Sequence, residues 1–548
     1  MRKISRTIAL SLFSFAALFA TAANSSTGNE YTAGNCAAYT AEPAEGVPAM
    51  CSLPSYMNIF PNSPIFMLSL NLENILDDSD ILENRNAMKF IEKNSEKLPR
   101  YAKEALNAFI KNPEAAGIDL EKPAVAAFYK GLQKDFVVSI PVADRKRMVG
   151  FFSPFLNDAG VVIKQVDGYY YLGNKQGKIS ERVVFDDNKL VISVGKPVSY
   201  YLQYSGQKAV DNSNYKKFFK SDSDVAAVVE PVLWADMFMS NNDPNFKQFL
   251  NIFKNTSYIS TLDFEEGELS WKNLYINIPK QHEKAFKFVK NGNGKLLKYM
   301  PENSLCVMNF NIDMNSFIKF IPLCEPSLKN ADEVYKILEK DGIDRKTINE
   351  LCTDYAVAVL PAERVGRNNA LRFVVAIDCA DKKIYDKFIN KIKTKRKQVH
   401  PGVYAMGFNK YLECTNTYCK DTVAGFDYYL TYRNGTILLM PEDVYNSGLS
   451  SKGLSRNALN NPIYREYKDK AFVLDYKALS EELMYGKLKF DDGLVKGVYL
   501  VNSLLSVESG VIDLKSPLDF EISININSEE NTLKVLIDIL FNILVLAN

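Results

Sequence analysis

The residues best suited to chemistry by type are eight cysteines: Cys36, Cys51, Cys306, Cys324, Cys352, Cys379, Cys414 and Cys419. An even set in a secreted chain reads as a disulfide framework. Cys36 and Cys51 bracket an Ala/Pro/Gly-rich leader, and Cys414 and Cys419 lie in a short turn-like segment. No CxxC occurs, which disfavours zinc ribbons and thioredoxin-like redox work. His282 and His400 are the only imidazoles, and both read as surface residues. No G-x-S-x-G elbow gives them a nucleophile, and Ser213-Asn214-Tyr215-Lys216 lacks the partner motifs of a penicillin-recognising enzyme. Gly292-Asn293-Gly294-Lys295 lacks the spacing of a phosphate loop and reads as a flexible linker. Asp77, Asp78, Asp80 and Glu83 lack the glycine of an EF-hand and read as a solvated helix start. The expectation is therefore no cofactor and no metal. Carboxylates at repeated positions, Asp144 with Asp381 and Glu230 with Asp475, suit caps and strand ends, although glycoside cleavage by a carboxylate pair stays open. Tyr169-Tyr170-Tyr171, Tyr200-Tyr201 and Tyr428-Tyr429 could stack on glycans, but alternating tyrosine ordinarily packs a half-buried sheet.

The elements that position these residues come in two copies. Pro61-Asn62-Ser63-Pro64-Ile65-Phe66-Met67-Leu68-Ser69-Leu70-Asn71-Leu72 recurs as Pro301-Glu302-Asn303-Ser304-Leu305-Cys306-Val307-Met308-Asn309-Phe310-Asn311-Ile312. Phe136-Val137-Val138-Ser139-Ile140 recurs as Phe373-Val374-Val375-Ala376-Ile377. Tyr215 and the strand ending at Glu230 match Tyr464 and the strand ending at Asp475. Tyr275–Ile278 matches Ser523–Ile526. The blocks keep their order, so the expected organisation is a signal peptide over 1–22, a leader over 23–53, and two homologous α+β modules over 54–299 and 300–548.

Each module reads as a ferredoxin-like β-α-β-β-α-β start, then β-hairpins and short helices. Asn434-Gly435 marks one hairpin, because Asn-Gly tolerates the positive φ of a type I′ turn. Glu266-Gly267 and Ser509-Gly510 punctuate a later hairpin in the two copies. In a ferredoxin-like sheet the first and third strands are antiparallel neighbours, which would bring Cys306 and Cys379 together. A Cys324–Cys352 bridge would join the ends of the segment between the first two strands.

Arg2, Lys3 and Arg6, the apolar run Ile8–Phe19 and Ala20-Thr21-Ala22 read as a secretory signal cleaved near Ala22. No later run is apolar for long enough to span a membrane, and Leu533–Ala547 reads as an amphipathic helix broken by Lys534, Asp538 and Asn542. With 66 Lys+Arg against 65 Asp+Glu, the chain has no electrostatic face for nucleic acid. The opening strand, Gly117-Ile118-Asp119-Leu120-Glu121-Lys122-Pro123 and the Phe136–Asp144 strand-to-helix step resemble a family of unknown function. Its members are secreted proteins and lipoproteins of gut Bacteroidetes-type bacteria. The resemblance implies an envelope location and duplicated α+β architecture, and it brings no catalytic residue; Cys36 lacks a lipobox. The expected protein is a secreted or periplasmic, non-enzymatic binder of an unknown ligand or envelope protein. A secreted glycan hydrolase and a structural or assembly component are the alternatives.

Overall fold

The computed structural model describes residues 54–546, apart from 97–99, 131–134, 159, 175, 177–178, 239–249, 251, 326, 341, 366–367, 395–397, 401–402, 406–410, 415–417, 424–425 and 485–505. The expected signal segment and leader, with Cys36 and Cys51, lie outside the described residues. The chain divides into two compact units, one running to Met237 and joined by the stretch from Leu540, the other spanning Phe238–Ile539.

In the first unit, β1 (Phe66–Leu70) is followed by α1 (Leu72–Ser79), α2 (Arg85–Ser95) and α3 (Arg100–Lys111). Next come the hairpin β2 (Ala124–Phe128) and β3 (Phe136–Pro141), then α4 (Arg145–Asp158). A meander of β4 (Val161–Val166), β5 (Tyr169–Asn174), β6 (Ile179–Phe185) and β7 (Lys189–Val194) leads to β8 (Val225–Val229) and α5 (Pro231–Phe238). The strands order as β8-β1-β2-β3-β7-β6-β5-β4, every neighbour antiparallel.

The second unit opens with the hairpin β9 (Ser257–Glu265) and β10 (Glu268–Ile276), then α6 (Lys280–Phe286) and β11 (Val289–Asn291). After β12 (Cys306–Ile312) come α7 (Met314–Cys324), α8 (Ala331–Lys340) and α9 (Arg345–Glu350). The long hairpin β13 (Thr353–Val365) and β14 (Asn368–Asp378) precedes α10 (Lys382–Thr394). Four strands, β15 (Gln398–His400) through β16 (Val403–Ala405) and β17 (Tyr411–Cys414) to β18 (Tyr418–Val423), lead to β19 (Phe426–Arg433) and β20 (Thr436–Pro441). β21 (Phe472–Asp475), α11 (Tyr476–Met484), β22 (Val507–Ser516) and β23 (Asp519–Ile526) follow, and the last described element is α12 (Thr532–Leu546), whose residues from Leu540 belong to the first unit. The order from β21 is β21-β12-β13-β14-β20-β19, the same as β8-β1-β2-β3-β7-β6 in the first unit.

The fold is α+β, but its strand order departs from the ferredoxin-like expectation. The first strand pairs with the second, Phe66 opposite Phe128 and Cys306 opposite Val359, and the second separates it from the third. A single crossover helix would have made the first two strands parallel. Three helices instead fill each connection, and the chain re-enters beside the strand it left, in the opposite sense.

This order also removes both expected bridges in the second half. β13 lies between Cys306 on β12 and the end of β14, where Cys379 follows, and Cys306, Cys324, Cys352 and Cys379 are all free thiols. Cys414 stands opposite Cys419 on adjacent strands, and Cys419 is disulfide-bonded.

Other turns sharpen the sequence reading. Asn434 and Gly435 both have positive φ between β19 and β20. The late hairpin of the second half turns between Ser516 and Asp519, while Ser509-Gly510 lies inside β22. Gly292–Lys295 is an ordered turn: a Cβ on Gly292 would stand 2.2 Å from Asn309 Oδ1, and Gly294 caps a short helical turn at φ 75°. Asp77 and Asp78 lie at the end of α1, not at a helix start, and Asn84 takes the cap of α2 by accepting from Asn86 N and Ala87 N.

The cores follow strand alternation. In the first unit Met67, Val125, Ala127 and Val137 are buried on one face. On the other face, Ile140, Leu190 and Ile192 pack beneath Met148 and Leu156 of α4. In the second unit Val307, Ala356, Ala358, Val374, Leu438 and Val473 form one continuous core. Among the described residues no helix is long and apolar enough to cross a membrane.

Candidate functional site

The repeated acids are structural. Asp144 Oδ1 accepts from Lys146 N at 2.8 Å and Arg147 N at 3.1 Å, capping α4, and those bonds hold its carboxyl below the usual range. Asp381 Oδ1 accepts from Lys383 N at 2.9 Å, capping α10. Asp475 Oδ1 accepts from Ala478 N at 2.9 Å at the head of α11. Glu230, before α5, takes a short hydrogen bond from the buried Tyr215 hydroxyl, and burial raises its carboxyl above the ordinary value. The equivalent Tyr464 is equally buried but donates to the Ser304 carbonyl at 2.6 Å.

The thiols are poorly placed for nucleophilic work. Burial raises all four free cysteines, so each stays a thiol at neutral pH. Cys352 points its sulfur at Asp313 Oδ1, 3.6 Å away, and that acid caps α7. His282 lies on α6 beside Gln281, with their Nε2 atoms 3.0 Å apart, and His400 lies on β15. Among the described residues no group of three or more potential metal ligands comes together. Ser213–Tyr215 and Lys216–Phe219 form two short helical turns that bury Tyr215 and Phe218.

Sequence spacing did not foreshadow one acid pair, Asp427 and Glu442. Lys420 Nζ lies 2.8 Å from Asp427 Oδ2 and 3.3 Å from Glu442 Oε1, and the Tyr429 hydroxyl donates to Glu442 at 3.0 Å. The hydrogen bond to Asp427 leads in raising the Lys420 ammonium. These carboxylates are parts of a salt-bridge cluster, not two acids facing one another across a sugar. Of the tyrosines named in the sequence, Tyr170 stacks on Phe185 at 5.3 Å and Tyr428 on Phe373 at 4.8 Å, while Tyr200 is 38% exposed.

The cavities are modest. One of about 10 Å³ lies among Met148, Phe152, Ile163 and Leu190, beneath α4. An open groove of about 340 Å³ on α2 and α3 is lined by Arg85, Met88, Lys89 and Asn107.

The most unusual surface is a cross-strand row in the first unit. Val229, Phe66, Phe128, Phe136 and Val194 stand opposite one another on β8, β1, β2, β3 and β7, so their side chains share one sheet face. Ring centroids lie 6.0 Å apart for Phe66–Phe128 and 4.5 Å for Phe128–Phe136, and Trp234 of α5 lies 6.1 Å from Phe66. Phe128 is 40% exposed, Val194 43% and Trp234 39%. Directly behind this row, Met67 and Ala127 are fully buried. Strand alternation therefore explains the inner face, and it leaves the outer aromatic row without a structural need of the same kind. Phe66, Phe128 and Phe136 are visible in the sequence, but only the strand register brings them side by side.

A family model described as Domain of unknown function (DUF4836) matches residues 56–484. No curated protein matches the chain significantly. A solved structure, crystal form I of TP0453, is similar at 12% identity over 41% of this chain and 79% of that chain, with a TM-score of 0.23.

Proposed function

The chain belongs to the DUF4836 family, a domain of unknown function, and from that premise we propose that it is a secreted or periplasmic, non-enzymatic binding protein of the bacterial envelope. Its partner docks on the aromatic row of the first unit. That row carries the reading: three phenylalanines in register with Trp234 at their end resemble the aromatic anchors of protein interfaces more than a reactive site. The row has no carboxylate or amide of its own to hold a sugar, so an apolar protein segment fits it better than a glycan. Export rests on the Arg2–Ala22 signal pattern, and the recurrence of one strand order supports descent of the two halves from one duplicated module.

Affinity capture from an envelope fraction tests this. Residues 23–548 recover a stoichiometric protein, and Phe128→Glu loses it while retaining the wild-type circular dichroism spectrum. Recovery of glycan fragments by both forms would overturn the proposal and favour a hydrolase.

A further inference from the structure

We draw no further inference here: the strongest candidate, the open groove on α2 and α3, is lined by Glu83 and Glu92 as well as Arg85 and Lys89, so its charges select no ligand, and nothing in the structure shows what fills it.

Discussion

Tyr215 and Tyr464 occupy equivalent places in the two halves, are both 1% exposed, and differ in what they donate to. Removing each hydroxyl therefore separates a titrating partner from a fixed one. Tyr464→Phe strips a donor from the Ser304 carbonyl, a neutral bond worth about 1 kcal/mol at any pH. Tyr215→Phe strips a donor from Glu230, and bonds to a charged group are worth about 1.5–3 kcal/mol. Glu230 is partly exposed, so the low end applies: about 1.5 kcal/mol at pH 8 and about 1 kcal/mol at pH 4. The direction follows from linkage. Burial raises the folded Glu230 above its ordinary value of 4.5, so its contribution is fully present below that pH and is lost as pH rises through the folded value. The Tyr215 bond lowers that folded value, and without it more stability is lost on the way to neutral pH. Urea unfolding at pH 4 and pH 8, following the transition that each variant shifts, reads the difference. Equal costs for Tyr215→Phe at both pH values, or the same pH trend in Tyr464→Phe, would show that Glu230 is not the titrating partner of Tyr215.

Three further outcomes follow. Iodoacetamide at pH 7.5 should label Cys324 slowly, since it is exposed but its thiol is raised, and should reach buried Cys306 and Cys379 only in denaturant; rapid native labelling of Cys306 would contradict its burial. Gly117→Ala should destabilise by more than ~1 kcal/mol, because φ is 71° and the new Cβ would stand 2.4 Å from the Asp144 carbonyl at the head of α4; an unchanged melting temperature would contradict that close approach. Met67→Ala should cost about 2–5 kcal/mol and Phe128→Ala markedly less, since Met67 is fully buried and Phe128, on the opposite face of the adjacent strand, is 40% exposed; similar melting temperatures for the two would remove the distinction between the faces.

Much of the local structure was legible from hydrophobic period and punctuation. Phe136-Val137-Val138-Ser139-Ile140 is a strand, Asp144 caps the helix after it, and Asn434-Gly435 turns a hairpin. Alternation specifies which residues share a face, but it carries no record of which strand lies alongside. The ferredoxin-like order and the Cys306–Cys379 bridge failed on that point: both assumed a third strand where the second one lies. The late hairpin shows a second limit. Ser509-Gly510 looks like a turn, but Gly510 pairs with Leu474 and Ile524 within the sheet, and the chain reverses at 517–518. The aromatic row was hidden for a related reason. Phe66, Phe128 and Phe136 are unremarkable apart, and strand pairing across 62 residues of sequence places the first two side by side.

The proposed docking surface is the outer aromatic row of the first unit. A photo-crosslinking residue placed at Phe128, and separately at exposed Lys146 on α4, tests it most directly in the envelope fraction. A docking surface there yields one discrete cross-linked protein from position 128 and none from position 146. Equal, diffuse labelling from both positions, or none from position 128, would contradict it.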